Sequence, residues 1–240
     1  MHRLGLTCLT HLTQFQKANS RSRALSGPSF TVSHLAEKKY WDERYKTRDA
    51  RESHFDWLAD SESTLEHVLP FVRPNSRILD LGCGTSSFAL NLQKSSAVAV
   101  EVVCLDYSYS AVKTMKSIHN HDRSKSSLSS VHFIQADATK TPFKAGTFDV
   151  ILDKGTTDSV LKFEDRRKAH LMAQRLQLEA LRILSPLGVY LQITDEDPDL
   201  RTTLLGDLLK DRDVSVSHKL ISGDYAWEYF MYVVSWNKVC

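Results

Sequence analysis

Four aspartates carry the most legible chemistry in this chain: Asp80 in "RILDLGCGTSSF", Asp106 in "VEVVCLD", Asp137 in "VHFIQAD" and Asp153 in "FDVILDK". Each closes a short β-branched or apolar run, and the first is followed at once by Gly82 and Gly84. A glycine turn after a strand is a nucleotide-binding signal, but a dinucleotide fold asks for G-x-G-x-x-G, and here Ser86 and Ser87 follow instead. A row of carboxylates would also repel a pyrophosphate, because unit charges about 4 Å apart interact by about 4 kcal/mol at an effective dielectric near 20. Such a row suits a ligand with cationic and hydroxyl groups.

S-adenosylmethionine has that character: an α-ammonium, a sulfonium, a ribose diol and an adenine amine, with no phosphate. Gly82 and Gly84 would let the backbone approach its amino-acid part, where a Cβ would obstruct. Asp106 would accept the ribose hydroxyls, with Tyr107 beside it, and Asp137 the adenine amine, with Ala138 offering a backbone N–H. Asp80, Ser86 and Asp153 complete the expected cofactor set, Asp153 orienting either the methionine end or an incoming amine. Any one of these acids could simply cap the following helix; four in register beside a glycine turn favour a binding edge.

The elements that must hold such an edge are readable from the same runs. "RILDL", "VEVVCLD", "VHFIQAD", "FDVILDK" and "GVYLQITDE" read as strands buried on both faces, alternating with helical stretches at Ser86 to Lys94, Ser110 to His119 and Arg166 to Leu184. That alternation predicts an α/β fold, a Rossmann-like seven-stranded sheet whose parallel strands carry helices on both faces. After a helix over "DLRTTLLGDLLK", "DVSVSHKLIS" and "WEYFMYVVSW" read as a closing antiparallel strand pair. Ahead of the sheet, residues 34–72 form an expected helical segment, with one helix from His34 to Arg51 and another from Ser61, as N-cap, to Phe71. The polar stretch from His119 to Ser130 reads as a loop.

These motifs resemble the seven-β-strand S-adenosylmethionine-dependent methyltransferases over about residues 31–240, "ILDLGCGTSS", "VVCLDYSYSAV" and "IQADATKTPF" matching their first three motifs in order. "YWDERY" with "FDWL" before the sheet, and "FDVILDKGTTDSV" at strand four, are similar to the protein lysine methyltransferases that include elongation-factor enzymes and the mitochondrial citrate synthase enzyme. Ser86, where the broad superfamily has glycine, also occurs in that subgroup. The resemblance implies methyl transfer to a lysine of a protein, citrate synthase foremost, and the leader and "QITDEDPDLR" favour that substrate over an elongation factor. A non-catalytic cofactor-binding assembly partner is the alternative of another class. "DKGT" in place of N-P-P-[YF] argues against nucleobase methylation. The substrate pocket is expected to draw on Trp41, Trp57, Thr156 and Glu196, with Asp153 and Asp195 as catalytic candidates. An acidic run such as Asp195 to Asp197 can equally be a solvated loop, and the tryptophans core or lid.

Composition bounds the rest. At 240 residues with 42% hydrophobic and 25% charged, the chain can bury one sizeable core, and no run of about 18 apolar residues suggests a membrane span. Residues 1–30 hold Arg3, Lys17, Arg21 and Arg23 and no acid, the pattern of a mitochondrial transit peptide, with a disordered tail as the plainer alternative. Without them Lys+Arg falls from 31 to 27 against 29 acids and the net charge from +2 to −2, so no nucleic-acid-binding patch is expected. Cys8, Cys83, Cys104 and Cys240 form no C-x-x-C pair, so neither a metal site nor a disulfide framework is expected, and a reducing compartment fits. The expected unit is thus a monomeric methyltransferase domain, residues 31–240, in the mitochondrial matrix.

Overall fold

The computed structural model describes residues 32–46, 54–122, 128–223 and 228–237. The expected leader and the tip of the polar loop lie outside them. In chain order the helices are α1 (Lys38–Lys46), α2 (Ser61–Val68), α3 (Phe88–Ser95), α4 (Tyr109–His121), α5 (Thr156–Val160), α6 (Arg166–Ile183) and α7 (Pro198–Leu209). The strands are β1 (Ser76–Leu81), β2 (Val100–Asp106), β3 (Ser130–Gln135), β4 (Phe148–Lys154), β5 (Leu184–Thr194), β6 (Val214–Gly223) and β7 (Glu228–Trp236).

They make one sheet in the order β3-β2-β1-β4-β5-β7-β6. Strands β1 to β5 are parallel, whereas β7 is inserted between β5 and β6 and runs antiparallel to both. Strand order reverses between β1 and β4, and in such sheets the crevice beyond the carboxyl ends at that point is where ligands bind.

Side chains alternate between the two faces with period two. Register places Asp80 beside Cys104 of β2 and Leu152 of β4, so Ile78, Asp80, Val102, Cys104, Val150 and Leu152 share one face. Leu65 and Val68 of α2 and Phe88 and Leu92 of α3 cover it. Leu79, Leu81, Val103, Leu105 and Ile151 point the other way, onto Ala173, Leu176 and Ala180 of α6 and Leu205 and Leu208 of α7. Both faces are apolar because both carry helices, which is why the strand sequences run continuously apolar rather than alternating.

Two local expectations change. The cap of α2 is Asp60, whose carboxylate accepts from Ser63 N at 2.8 Å. Ser61 is the first helical residue; its hydroxyl lies 2.7 Å from that of Ser87 and accepts from Asn91 Nδ2 at 2.9 Å, tying α2 to α3. The helix expected from His34 to Arg51 is instead a 3-10 turn, Val32–Ala36, followed by α1, and residues 47–53 lie outside the described ones. Among the described residues no helix is long and apolar enough to cross a membrane.

Candidate cofactor and substrate site

Beyond the carboxyl ends of β1, β2 and β4, a cavity of about 650 Å³ is bounded on one side by the glycine turn and on another by α1 and the segment from Phe55 to Trp57. Asp80, Gly82, Gly84, Ser86, Asp106, Tyr107, Asp137 and Ala138 all line it, as do Trp41, Trp57 and Thr156. Its size falls in the range usual for small-molecule sites.

The glycine turn is held close by its surroundings. Gly82 N and Cys83 N both donate to Leu105 O, at 2.7 and 3.0 Å, and Gly84 N donates to the Asp106 carboxylate at 2.8 Å. Gly82 has φ +77°, and a Cβ there would lie 2.0 Å from Thr156 Oγ1; at Gly84, φ +52°, it would lie 2.5 Å from the Tyr45 hydroxyl. Left-handed backbone and absent space both demand glycine. Asp106 also accepts from Ser108 N at 2.7 Å, so each carboxylate oxygen spends one lone pair on backbone and keeps capacity for ligand hydroxyls. Burial pushes its carboxyl up to about 6.

Asp80 is the more telling acid. It is 4% exposed, its Oδ2 is buried with no hydrogen-bond partner, and burial pushes the carboxyl up to about 7. A buried acceptor without a donor costs about 1 to 3 kcal/mol, more if charged, and a ligand ammonium would supply the missing partner. The orphaned oxygen, the Cβ-free turn and the hydroxyl-accepting Asp106 together fit S-adenosylmethionine. Asp137 lies on the same rim, with Oδ1 committed to Thr139 N and Oγ1, both at 2.8 Å.

Three expected residues stand elsewhere. Asp153 does not line the cavity: it is one residue out of phase with Asp80, because Leu152 is the register partner of Asp80, and so it projects from the opposite face. It is 1% exposed and accepts from Thr156 N at 2.8 Å, Thr157 Oγ1 at 2.5 Å and Tyr190 Oη at 2.9 Å. Asp153 accepts from the first N–H groups of α5 and anchors a buried polar network on the face away from the cavity. Asp195 and Glu196 also lie outside the cavity. Glu196 sits 3.7 Å from Nη2 of the buried Arg201, which in turn donates to Asp158 at 2.6 Å, and Asp197 caps α7 through Asp199 N. That acidic run starts a helix and balances a buried arginine.

The structure adds residues that the sequence reading did not assign. Tyr45 and Phe55 join Trp41 and Trp57 on the wall; Trp41 lies with ring centroids 5.8 Å from Tyr45 and 5.5 Å from Trp57. Asp56 Oδ1 accepts from Ser86 Oγ at 2.5 Å and from Lys154 Nζ at 2.9 Å, while Lys154 also donates to Trp57 O at 3.2 Å. With the Phe55 N to Thr85 O bond at 3.1 Å, these contacts strap residues 55–57 across the glycine turn. Sequence signals for the strap were slight: "FDWL" is short and precedes any strand.

Comparisons with known proteins bear on this geometry. A family model described as a methyltransferase domain matches residues 72–233. The mitochondrial citrate synthase-lysine N-methyltransferase of Danio rerio is 32% identical over 85% of this chain and 85% of its own, and the Homo sapiens protein of that name 34% over 74% and 78%. The chain belongs to the protein lysine methyltransferases. Another methyltransferase of that group, EEF1A lysine methyltransferase 4 of Bos taurus, is 32% identical over 75% of this chain and 71% of its own. The enzyme shares its fold with a SAM-dependent methyltransferase from Methanosarcina mazei, TM-score 0.55 at 14% identity over 77% of this chain and all of the other. It also shares it with the [4+2]-cyclase SpnF, TM-score 0.59 at 15% identity over 87% and 98%. Since a cyclase carries the same fold, architecture alone does not fix the reaction; the relatives and the site do. The cofactor of this methyltransferase is S-adenosylmethionine.

Proposed function

We propose that this enzyme methylates a lysine side chain of citrate synthase in the mitochondrial matrix, acting as a monomer from which residues 1–30 have been removed. The observation that carries this reading is the likeness to the Danio rerio enzyme along 85% of both chains, because its name gives that substrate and that compartment.

Bound S-adenosylmethionine supplies an electrophilic methyl group on a sulfonium. Asp80 would hold its ammonium end, Asp106 the ribose hydroxyls, and Asp137 with Ala138 the adenine edge, while the glycine turn would give the methionine part room. A target lysine has a reference pKa near 10.4 and cannot attack while protonated. The apolar wall of Trp41, Tyr45, Phe55 and Trp57 desolvates the entering side chain, which favours the neutral amine, so the proton leaves before the amine is enclosed. Alignment within that wall supplies much of the rate, and no histidine stands among the described lining residues to act as base. The same aromatic faces suit methylated forms of the amine by cation–π contact.

Incubating matrix proteins with the enzyme and isotopically labelled S-adenosylmethionine, then taking intact masses, tests the proposal: citrate synthase should gain label. Label on other matrix proteins but not on citrate synthase would refute it. A second reading, a translation elongation factor as substrate, is favoured by the likeness to EEF1A lysine methyltransferase 4. It predicts label on that factor and a full-length chain that stays in the cytosol.

A further inference from the structure

S-adenosylmethionine carries an α-carboxylate as well as its cations, and a cavity edged by Asp80, Asp106 and Asp137 offers that anion only repulsion, about 4 kcal/mol per pair at about 4 Å and an effective dielectric near 20. Some cation must answer it. Three lysines are among the described residues lining the cavity: Lys38, Lys154 and Lys168. Lys38 is paired with Asp42 and lies 5.6 Å from the ring centroid of Tyr107, next to the expected ribose acid. Lys168 lies 4.0 Å from the ring centroid of Phe163, at the exposed start of α6. Neither ammonium is hydrogen-bonded to a side chain that bonds the glycine turn.

That of Lys154 is. Its side chain is 7% exposed, it ends β4 at the strand-order reversal, and its ammonium is close enough to Asp80 to oppose the upward push that burial gives that carboxyl. An ammonium has three donor protons. Lys154 directs donors to Asp56 Oδ1 at 2.9 Å and Trp57 O at 3.2 Å, which leaves one for a ligand in the cavity it lines. We infer that Lys154 binds the α-carboxylate of the cofactor, so that Asp80 and Lys154 together read the zwitterionic end of the methionine. At the methionine end, with Asp106 and Asp137 assigned to the ribose and the adenine, Asp56 and Asp80 against Lys154 leave one negative charge, opposite to the single positive charge to which the cofactor's ammonium, sulfonium and carboxylate sum. Asp56 then serves twice, strapping Ser86 to Lys154 and holding the lysine in place before the cofactor arrives.

The rival reading is a purely structural clasp, and ligand truncation separates the two. Calorimetric affinities would be taken on the full chain for S-adenosylmethionine, S-adenosylhomocysteine, which keeps the carboxylate, and decarboxylated S-adenosylmethionine, which lacks it. The wild-type enzyme should prefer the carboxylated cofactor over the decarboxylated one by about tenfold to a hundredfold, the worth of one or two charge-assisted bonds. Lys154→Met should weaken the two carboxylated ligands by that factor, leave the decarboxylated one within about threefold, and so abolish the preference. Equal weakening of all three ligands, or a preference that survives the substitution, would overturn the assignment. Should Lys154→Met not fold, Lys154→Gln decides: its amide can still donate to Asp56 and Trp57 O but carries no charge, so the preference should be lost, and a preference that persisted would make Lys154 a strap alone. The inference rests on the cofactor and not on the protein substrate. Binding without discrimination refutes Lys154 only, whereas no binding of any of the three ligands would remove the cofactor assignment itself.

Discussion

Burial pushes the Asp80 carboxyl up to about 7; Lys154 opposes the shift, and Asp56, Asp106 and Asp153 add to it. In the unfolded chain the same group titrates near 3.9. Between about pH 4 and 7 the folded protein therefore holds a proton that the unfolded chain has released. The resulting stability is full below about pH 4 and is lost as pH rises through about 7. A cationic ligand needs the ionised form, so cofactor affinity should climb from about pH 6 to 8 with release of a proton, measurable by calorimetry in buffers of different ionisation heat. Asp80→Asn should bind at least about tenfold more weakly, with a flat pH profile, yet melt higher than wild type at pH 8. A variant that kept the wild-type pH profile would place the titration on another group. Gly82 gives a second residue-level expectation. Alanine there must hold φ near +77° and set its Cβ 2.0 Å from Thr156 Oγ1, so Gly82→Ala should lose about 1 to 3 kcal/mol of stability and measurable cofactor binding. Adding Thr156→Ala should recover part of the melting temperature, because it removes the nearest obstructing atom while the backbone strain remains.

At the scale of elements, the loop after β4 is held from below, by the face turned away from the cofactor. Asp153 fixes Thr156 N and Thr157 of α5; Gln177 of α6 donates to Thr157 Oγ1 at 2.9 Å; and Arg201 of α7 reaches Asp158 of α5 at 2.6 Å and Thr194 of β5 at 3.1 Å. Asp153→Ala should accordingly lower stability by about 2 to 4 kcal/mol, through lost caps and orphaned donors, with a melting curve as the readout. A direct role for Asp153 at the cofactor would appear instead as lost affinity at an unchanged melting temperature. Arg201→Met should cost about 3 to 5 kcal/mol, since it leaves Asp158 buried without its cation, and Arg201→Met with Asp158→Leu should recover much of that loss. These elements also show where the sequence was legible. Strand ends, helix α6 and the capped start of α7 are written in local patterns of apolar runs, Asp and Pro, and their bounds fall within two residues of the expected ones, except that β5 begins four residues earlier, at Leu184. The misplacement of Asp153 has a different origin. Strand register is a long-range property, and a shift of one residue moves a side chain to the other face. Nothing within "FDVILDK" tells that Leu152, and not Asp153, aligns with Asp80.

For the whole molecule, the parallel strands with their closing antiparallel pair and the residues of the glycine turn were legible because each motif is contiguous, whereas the order of the strands in the sheet was not read. The wall residues Tyr45 and Phe55, and the clasp made by Asp56, were not legible, because they depend on how a segment ahead of the sheet folds back over Thr85 and Ser86. That arrangement bears on the leader. Among the described residues the first to line the cavity is Ala36. Residues 1–30 bring four basic side chains and no acid, and without them the remaining chain carries a net charge of −2 rather than +2. The proposed function makes this acid-free segment an import leader and no part of the folded core. A protein starting at residue 31 should therefore keep its melting temperature and, within about twofold, its cofactor affinity and methyl-transfer rate in vitro. In cells the same truncation should leave it in the cytosol while the full chain reaches the matrix, as followed by fractionation. Cytosolic full-length protein would remove citrate synthase as the natural substrate and turn the assignment toward the elongation factor. Truncated protein that lost cofactor binding would instead show that the leader closes the site that α1 and the 55–57 strap begin.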